Sequence, residues 1–297
     1  MQNPYFTQTA KIVKITEQAP NINLFRFDLD KKLEHTPGQI ILLSIPGFGE
    51  APFAPCNAPD SEFLELCVRK AGRLTSRLHK MKAGDKVGIR GPYGNGWMEQ
   101  IINYRHPERS VAESKDPVGG EKQKDSSPTA QNDNIKNLLI VVGGLGLVPL
   151  RTLLSGKDKF LPKTKIQIFY GAKTPDDFLF QNDFDSWREK GIGLQLTIDK
   201  ECPGWNECVG LVPVLFEKYP PAADTTVFLC GPPVMYKFVL DKLKEKNVPD
   251  KNIFLSLERR MHCGIGVCQH CAVGSFYTCK DGPVFRYTDI KNIEGAI

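Results

Sequence analysis

Leu138-Leu139-Ile140-Val141-Val142-Gly143-Gly144-Leu145-Gly146-Leu147-Val148-Pro149-Leu150 reads as a buried strand, a glycine turn and the opening of a helix. Residues 138–142 are all apolar, as in a strand covered on both faces. Pro149 has its φ pre-set for a first helical turn. The glycine spacing is not G-x-G-x-x-G, so the turn takes its meaning from the elements downstream of it. There the rhythm repeats: strand candidates at 165–170, 194–198, 226–229 and 253–256 alternate with helical stretches near 183–190, 212–219 and 234–246. Alternating β and α predicts a doubly wound parallel sheet that receives ligands at the carboxyl ends of its strands.

Upstream the pattern changes. Short strand candidates at 10–16, 22–27, 39–45, 64–68 and 86–89 are separated by Pro37-Gly38, Pro46-Gly47 and Gly84-Asp85. One helical patch, 75–81, continues the helical spacing of Leu74, Leu78 and Met81. Many short strands with a single helix predict a small antiparallel barrel. At 297 residues the chain exceeds one core, which agrees with two domains and an appendage.

The appendage is the last forty residues. Cys263, Cys268, Cys271 and Cys279 fall at C-x4-C-x2-C-x7-C, four soft ligands within seventeen residues. Such a set suits an iron–sulfur cluster or zinc. The first three share the spacing of plant-type [2Fe–2S] proteins, and Gly264 and Gly266 let the backbone wrap a cluster with its N–H groups toward sulfur. A zinc ribbon would supply two separate C-x2-C knuckles, and only Cys268 and Cys271 form one. A [2Fe–2S] centre is the leading reading, with zinc and disulfide pairing as alternatives. His262 and His270 flank the cysteines without being needed as ligands.

Hydrophobic content of 41% and charged content of 25% are those of a soluble globular protein. The sequence has no eighteen-residue apolar run and no basic-then-apolar start, which argues against a membrane span and a signal peptide. Nine cysteines without a secretory signal point to the cytoplasm. A net charge of +5 is too mild to imply nucleic acid.

Val68-Arg69-Lys70-Ala71-Gly72-Arg73-Leu74-Thr75, Gly84-Asp85 and Gly91-Pro92-Tyr93-Gly94 resemble the flavin-binding barrel of the ferredoxin–NADP reductase superfamily. Cys230-Gly231-Pro232-Pro233-Val234-Met235 resembles the C-G-P-x-x-M run of its nucleotide half. The resemblance implies that Val68, Arg69, Gly72 and Thr75 meet FAD, at a helix start suited to a diphosphate. Taken alone, Thr75 would be an N-cap. Gly143, Gly144 and Gly146 would let NAD(P)H phosphates approach the backbone, Gly231 and Pro232 would shape the nicotinamide pocket, and Cys230 would stand beside it as the catalytic thiol. Lys173, at the end of the second strand, can pair with a 2′-phosphate while Asp176 and Asp177 disfavour one, so the cofactor is written NAD(P)H. The family's R-x-[Y/F]-S motif falls on Ala51-Pro52-Phe53-Ala54, where only the aromatic is kept. Phe53 would stack on the flavin, and Ala54 leaves N5 to a backbone amide or to Cys56.

With the cysteine tail and Asp281-Gly282-Pro283-Val284-Phe285, the order is similar to that of the gamma subunits of cytoplasmic nickel–iron hydrogenases and of the corresponding electron-transfer subunits of anaerobic sulfite reductases. Electron-transfer subunits of dihydroorotate dehydrogenase are near relations. The resemblance implies a β plus α/β chain moving electrons between NAD(P)H and a larger catalytic redox subunit through FAD and [2Fe–2S]. A stand-alone reductase and a flavin-free zinc-binding or regulatory module are the other readings. The expected organisation is a FAD-binding barrel at 1–102, an insertion at 103–135, an NAD(P)-binding domain at 136–256 and a cluster segment at 257–297. The insertion is dense in charge, Ser, Gly and Pro, which predicts a mobile surface loop.

Overall fold

The computed structural model describes residues 3, 5–58, 60–105 and 135–297. Strands β1 (Gln8–Ala19), β2 (Ile22–Leu29), β3 (Ile40–Ile45), β4 (Gly49–Phe53), β5 (Leu64–Arg69) and β6 (Lys86–Tyr93) form one sheet in the order β4-β3-β6-β1-β2-β5. All its pairings are antiparallel. Pro20, with fixed φ, and Asn21, at φ 62°, turn β1 into β2. Beyond the two edge strands the chain closes on itself: Pro55 bridges Leu66, and the Cys56 amide donates to Glu65 O at 2.9 Å. The result is the expected barrel, filled by Ile12, Phe25, Phe27, Ile41, Leu66 and Ile89. Strand β4 was not expected, because Pro52 lies inside it. It is tolerated at an edge, where a missing N–H costs no ladder bond.

Helix α1 (Arg73–Leu78) follows β5, and α2 (Trp97–Arg105) follows β6. Of the expected insertion, residues 106–134 lie outside the described residues. Its margins sit closer in, since α2 runs to Arg105 and Ile135 is buried.

The second sheet runs β10-β9-β8-β7-β11-β12-β15, from β7 (Asn137–Gly143), β8 (Lys165–Ala172), β9 (Gly193–Ile198), β10 (Cys208–Val209), β11 (Thr225–Cys230), β12 (Ile253–Ser256) and β15 (Val284–Arg286). All its pairings are parallel except β12 with β15. Period-two alternation divides β7 between two cores. Leu138, Ile140 and Val142 face one, Leu139 and Val141 the other. Helices α3 (Val148–Ser155), α4 (Phe184–Glu189) and α5 (Pro233–Glu245) pack on these faces through Leu150, Trp187 and Val239. The strand order reverses between β7 and β11, so the site expected of such a sheet lies where Gly143 and Cys230 end adjacent strands.

The cysteine segment is an excursion from this sheet. It leaves β12, makes a short hairpin of β13 (Ala272–Val273) and β14 (Phe276–Tyr277), and returns as β15 beside the strand it left. Residues 284–286 therefore belong to the nucleotide sheet, although the sequence grouped them with the cluster segment. Among the described residues no helix is long and apolar enough to cross a membrane.

Barrel and sheet share a seam. Arg151 of α3 donates to Glu65 of β5 at 2.8 Å, to Asp183 at 2.7 Å and to the Cys56 carbonyl at 3.2 Å. Thr152 donates to the Pro55 and Asn57 carbonyls, Arg26 holds Glu65 from β2, and Trp97 of α2 stacks on Phe228 with centroids 4.7 Å apart. Glu65→Ala removes the buried carboxylate that Arg26 and Arg151 share, leaving Arg151 with Asp183 alone as its ionic partner. Because Arg26 is 38% exposed, we expect the lower end of the cost of breaking a buried pair, about 3 kcal/mol. Urea unfolding read by tryptophan fluorescence should show the midpoint falling.

Candidate functional site

Two cavities open along the seam. The first, of about 620 Å³, lies between barrel, nucleotide sheet and tail, and is lined by Phe53, Ala54, Cys67, Arg69, Thr75, Leu145, Cys230 and residues 256–261. The second, of about 1050 Å³, is lined by Arg69, Gly72, Gly143, Gly144, Lys173, Asp177, Asp199, Pro232, Val234 and Phe238. Arg69 borders both. A flat ring system joined through phosphates to a nucleotide suits the first, and a second dinucleotide reaching over the sheet end suits the other.

Of the residues expected to hold FAD, Phe53, Ala54, Arg69 and Thr75 line the first cavity and Gly72 the second. Phe53 also packs against the barrel core. Thr75 Oγ1 accepts from the Ala71 and Gly72 amides at 2.9 Å, so its hydroxyl shapes the turn that opens α1. The Val68 side chain lines neither cavity. It points with Leu64 and Leu66 into the barrel, while Glu65, Cys67 and Arg69 take the opposite face of β5. That alternation also identifies Cys67, which sequence reasoning missed, as a cavity wall. Cys56 is likewise displaced from its expected place near the flavin: fully buried, it donates to Glu65 O at 3.3 Å.

On the nucleotide side, Gly143 and Gly144 line the second cavity with Lys173 and Pro232. Gly146 and Gly231 line neither. A Cβ at Gly146 would stand 2.0 Å from the Cys230 carbonyl oxygen, and one at Gly231 would meet the Met235 methyl at 2.5 Å. Both glycines let the ends of β7 and β11 approach, so the absence of a side chain there serves the strand ends that frame the second cavity. Cys230 lines the first cavity and is 6% exposed. Burial pushes its thiol up to about 12, assisted by the Glu258 carboxylate. It presents a neutral thiol at ordinary pH.

All four tail cysteines are free thiols. Cys271 and Cys279 stand with sulfurs 3.3 Å apart, beyond the ~2.05 Å of a disulfide. Cys263 and Cys268 meet through the Cys268 amide, which donates to Cys263 Sγ at 3.4 Å. Four cysteine sulfurs on one loop are the ligand set of two irons taking two thiolates each. The backbone supports the same donor set. The Ile265, Val267 and Cys268 amides donate to Cys263 Sγ at 3.3–3.4 Å, and the Gly266 amide to Cys279 Sγ at 3.1 Å. Gly264 and Gly266, at φ 81° and 76°, permit that wrapping. Burial opposes ionisation of Cys263, but these amides leave its thiol below its ordinary value. Hydrogen bonding with the His270 backbone brings Cys268 down to about 7. Cys279 is pushed up to about 12 by burial and the neighbouring Cys271 sulfur, a penalty that iron ligation would remove. The loop packs through Cys271, Cys279 and Met261 onto Ile40, Leu42 and Tyr93 of the barrel. Met261 lines the first cavity two residues before Cys263.

Three families match the sequence: the oxidoreductase FAD-binding domain over residues 9–97, the oxidoreductase NAD-binding domain over 140–241, and the iron–sulfur cluster binding domain of dihydroorotate dehydrogenase B over 258–291. The sulfhydrogenase 2 gamma subunit of Pyrococcus furiosus is 35% identical over 99% of this chain and 100% of its own. A probable dihydroorotate dehydrogenase B electron transfer subunit from the same organism is 32% identical over 94% of this chain and 90% of its own. Among solved structures, an NADH-dependent reduced ferredoxin–NADP oxidoreductase superposes over 99% of this chain and 94% of its own, with TM-score 0.69 and 22% identity. The cytochrome b5 reductase domain of Ulva prolifera nitrate reductase covers 83% of this chain and 95% of its own, with TM-score 0.62 and 19% identity. These two likenesses establish the fold alone.

The thiol of Cys230 yields a pH prediction. In the unfolded chain it ionises near its ordinary 9.0, and in the fold at about 12. The unfolded state therefore loses the proton first. The associated stability is intact below pH about 9 and lost as pH rises toward about 12. Urea midpoints should fall between about pH 9 and 11, and Cys230→Ala should lessen that slope, the buried Cys56 thiol, also pushed up to about 12, supplying part of the rest.

Proposed function

We infer the function from one premise: the chain belongs to the family of FAD-, NAD- and iron–sulfur-binding electron-transfer subunits that includes the sulfhydrogenase gamma subunits and the dihydroorotate dehydrogenase B electron transfer subunits. It is an NAD(P)H-dependent flavin and iron–sulfur oxidoreductase subunit that exchanges electrons with a larger catalytic redox subunit, of hydrogenase or sulfite reductase type. The observation that carries this reading is the continuity of the site. The tail segment 256–261 walls the same cavity as Phe53 and Cys230, and the first cluster cysteine follows two residues later.

When bound, FAD and [2Fe–2S] supply hydride acceptance and one-electron transfer. The chain's own residues bind, orient and shield. Phe53, Ala54, Cys67 and Cys230 would wall the flavin ring, and Arg69 would lie toward its phosphates. Gly143, Gly144, Lys173 and Pro232 would receive NAD(P)H across the ends of β7, β8 and β11. Cys230, neutral and buried, would shape the place where nicotinamide meets flavin without adding a charge. Cys263 and Cys268 would hold one iron, and Cys271 and Cys279 the other. The functional units are a FAD-binding barrel from the N-terminus through α2, an NAD(P)-binding sheet starting at Ile135, and a cluster excursion at 257–283. Nine thiols, four of them cluster ligands, belong in a reducing compartment, so we place the chain in the cytoplasm.

Replacing Cys271 by Ser puts a poorly ionised oxygen where iron requires a thiolate, so the cluster should be lost or destabilised. The variant is expected to keep most of its NAD(P)H-dependent reduction of a small dye while losing at least tenfold in electron delivery to the co-purified catalytic subunit. Both activities falling together with FAD still bound would overturn the route from flavin through cluster. Purification with no larger subunit would favour a self-sufficient reductase.

A further inference from the structure

Arg90 of β6 is 7% exposed, although it carries a charge on the outer face of the barrel. Its guanidinium has five N–H donors, and five acceptors meet them. Nε donates to Glu50 Oε1 at 2.7 Å, and Nη2 to Glu50 Oε2 and to the His262 carbonyl. Nη1 donates to Tyr93 Oη at 3.0 Å and to the Cys263 carbonyl at 2.7 Å. The two carbonyls so captured belong to the first cluster cysteine and the residue before it. Immediately afterwards the backbone reverses at Gly264, φ 81°, where a Cβ would stand 2.8 Å from the Tyr93 ring. Past that reversal the amides of Ile265, Val267 and Cys268 point at Cys263 Sγ.

We propose that Arg90 is a positioning residue for the cluster loop and that, balanced by Glu50, its charge tunes the reduction potential of the [2Fe–2S] centre. The proposal rests on the cluster reading above and goes beyond it. Holding two carbonyl dipoles away from the sulfurs leaves the amides to face them, and hydrogen bonds and charge around a cluster set its potential. Reduction adds one negative charge to the centre. A cation behind Cys263 stabilises the reduced form, and the Glu50 carboxylate, in bidentate contact with that cation, offsets part of the effect. Removing either charge should therefore move the potential in opposite senses, which a purely structural contact would not do.

The test is an EPR-monitored redox titration of the intact purified protein, with iron, sulfide and FAD contents measured in parallel. Arg90→Gln is expected to disfavour cluster reduction about tenfold, which is about 59 mV downward for a one-electron couple. Glu50→Gln is expected to favour it by a similar factor. Arg90→Lys, which keeps the charge but not the fork, should stay near the wild-type potential. Should Arg90→Gln fail to retain iron, Glu50→Gln decides by its upward shift. Either glutamine variant that keeps its iron yet shows an unmoved potential, or one shifted in the opposite sense to that expected, overturns the proposal. So does loss of iron from all three variants, which would make Arg90 a scaffold residue only. Wild-type protein without iron and sulfide would instead end the cluster reading itself.

Discussion

Arg151 stands at the point on which the site's geometry depends. It lies on α3, the helix that opens just past the glycine turn of β7, and its guanidinium reaches across the seam to Glu65 and the Cys56 carbonyl. Thr152, the next residue, donates to two more barrel carbonyls. The element that builds the nucleotide site is thus bolted to the strand that walls the flavin site. Electron transfer between two bound rings requires a fixed approach, and this seam supplies one from buried, paired groups with correspondingly steep penalties for separation. Within the sheet, Gly146 adds a second constraint. The Cys230 carbonyl sits where its side chain would be, so the switch-point strands close to a distance that only glycine permits.

The third piece obeys the same frame. A cluster loop at a chain end could have hung from a tether, but here it is an excursion held at both ends. Leu257 donates to the Pro283 carbonyl at the neck, and β15 returns alongside β12. Barrel residues grip its flanks: the Asn95 amide bonds the Gly282 carbonyl, Gln100 bonds the Asp281 carbonyl, and Arg90 takes those of His262 and Cys263. The loop therefore reports to both domains. Its apolar underside meets Ile40 and Leu42, and its first residues help to enclose the cavity beside Phe53.

Much of this was legible in the chain because periodicity carries it. The alternation of β and α, the all-apolar run of β7 and the cysteine spacing are local signals, each set by geometry within a few residues. What escaped was long-range. The pairing of β15 with β12 spans the whole cysteine loop, and three residues of sequence give no hint of it. Val68 and Cys67 were separable only by knowing which face of β5 turns toward the seam. Gly146 resembles a cofactor glycine in sequence, and its close partner lies more than eighty residues away on β11. Arg90 left one faint trace, a charged residue set between Ile89 and Gly91 in the interior of β6, which is the place of a buried, fully paired cation.

The altered flavin motif at Ala51–Ala54 finds its account in the same geometry. Ala51 pairs with Leu43 across the edge of the barrel and packs against the barrel core, and it does not line the first cavity. A long cationic side chain there would have to leave that packing to reach a phosphate. Arg69 occupies a different position, at the end of β5, where the strand emerges between the two cavities and the guanidinium lies 3.7 Å from the space a Cβ of Gly144 would fill. Arg259 and Arg260 line the first cavity from the tail side, with Arg259 tied to the Gly295 and Ala296 carbonyls. Positive charge at this seam therefore comes from the end of a neighbouring strand and from the tail rather than from β4. A diphosphate responds to the field and donors around it, irrespective of which strand supplies them. Losing the arginine of one motif is compatible with keeping the cofactor when the tail also brings cations to the first cavity.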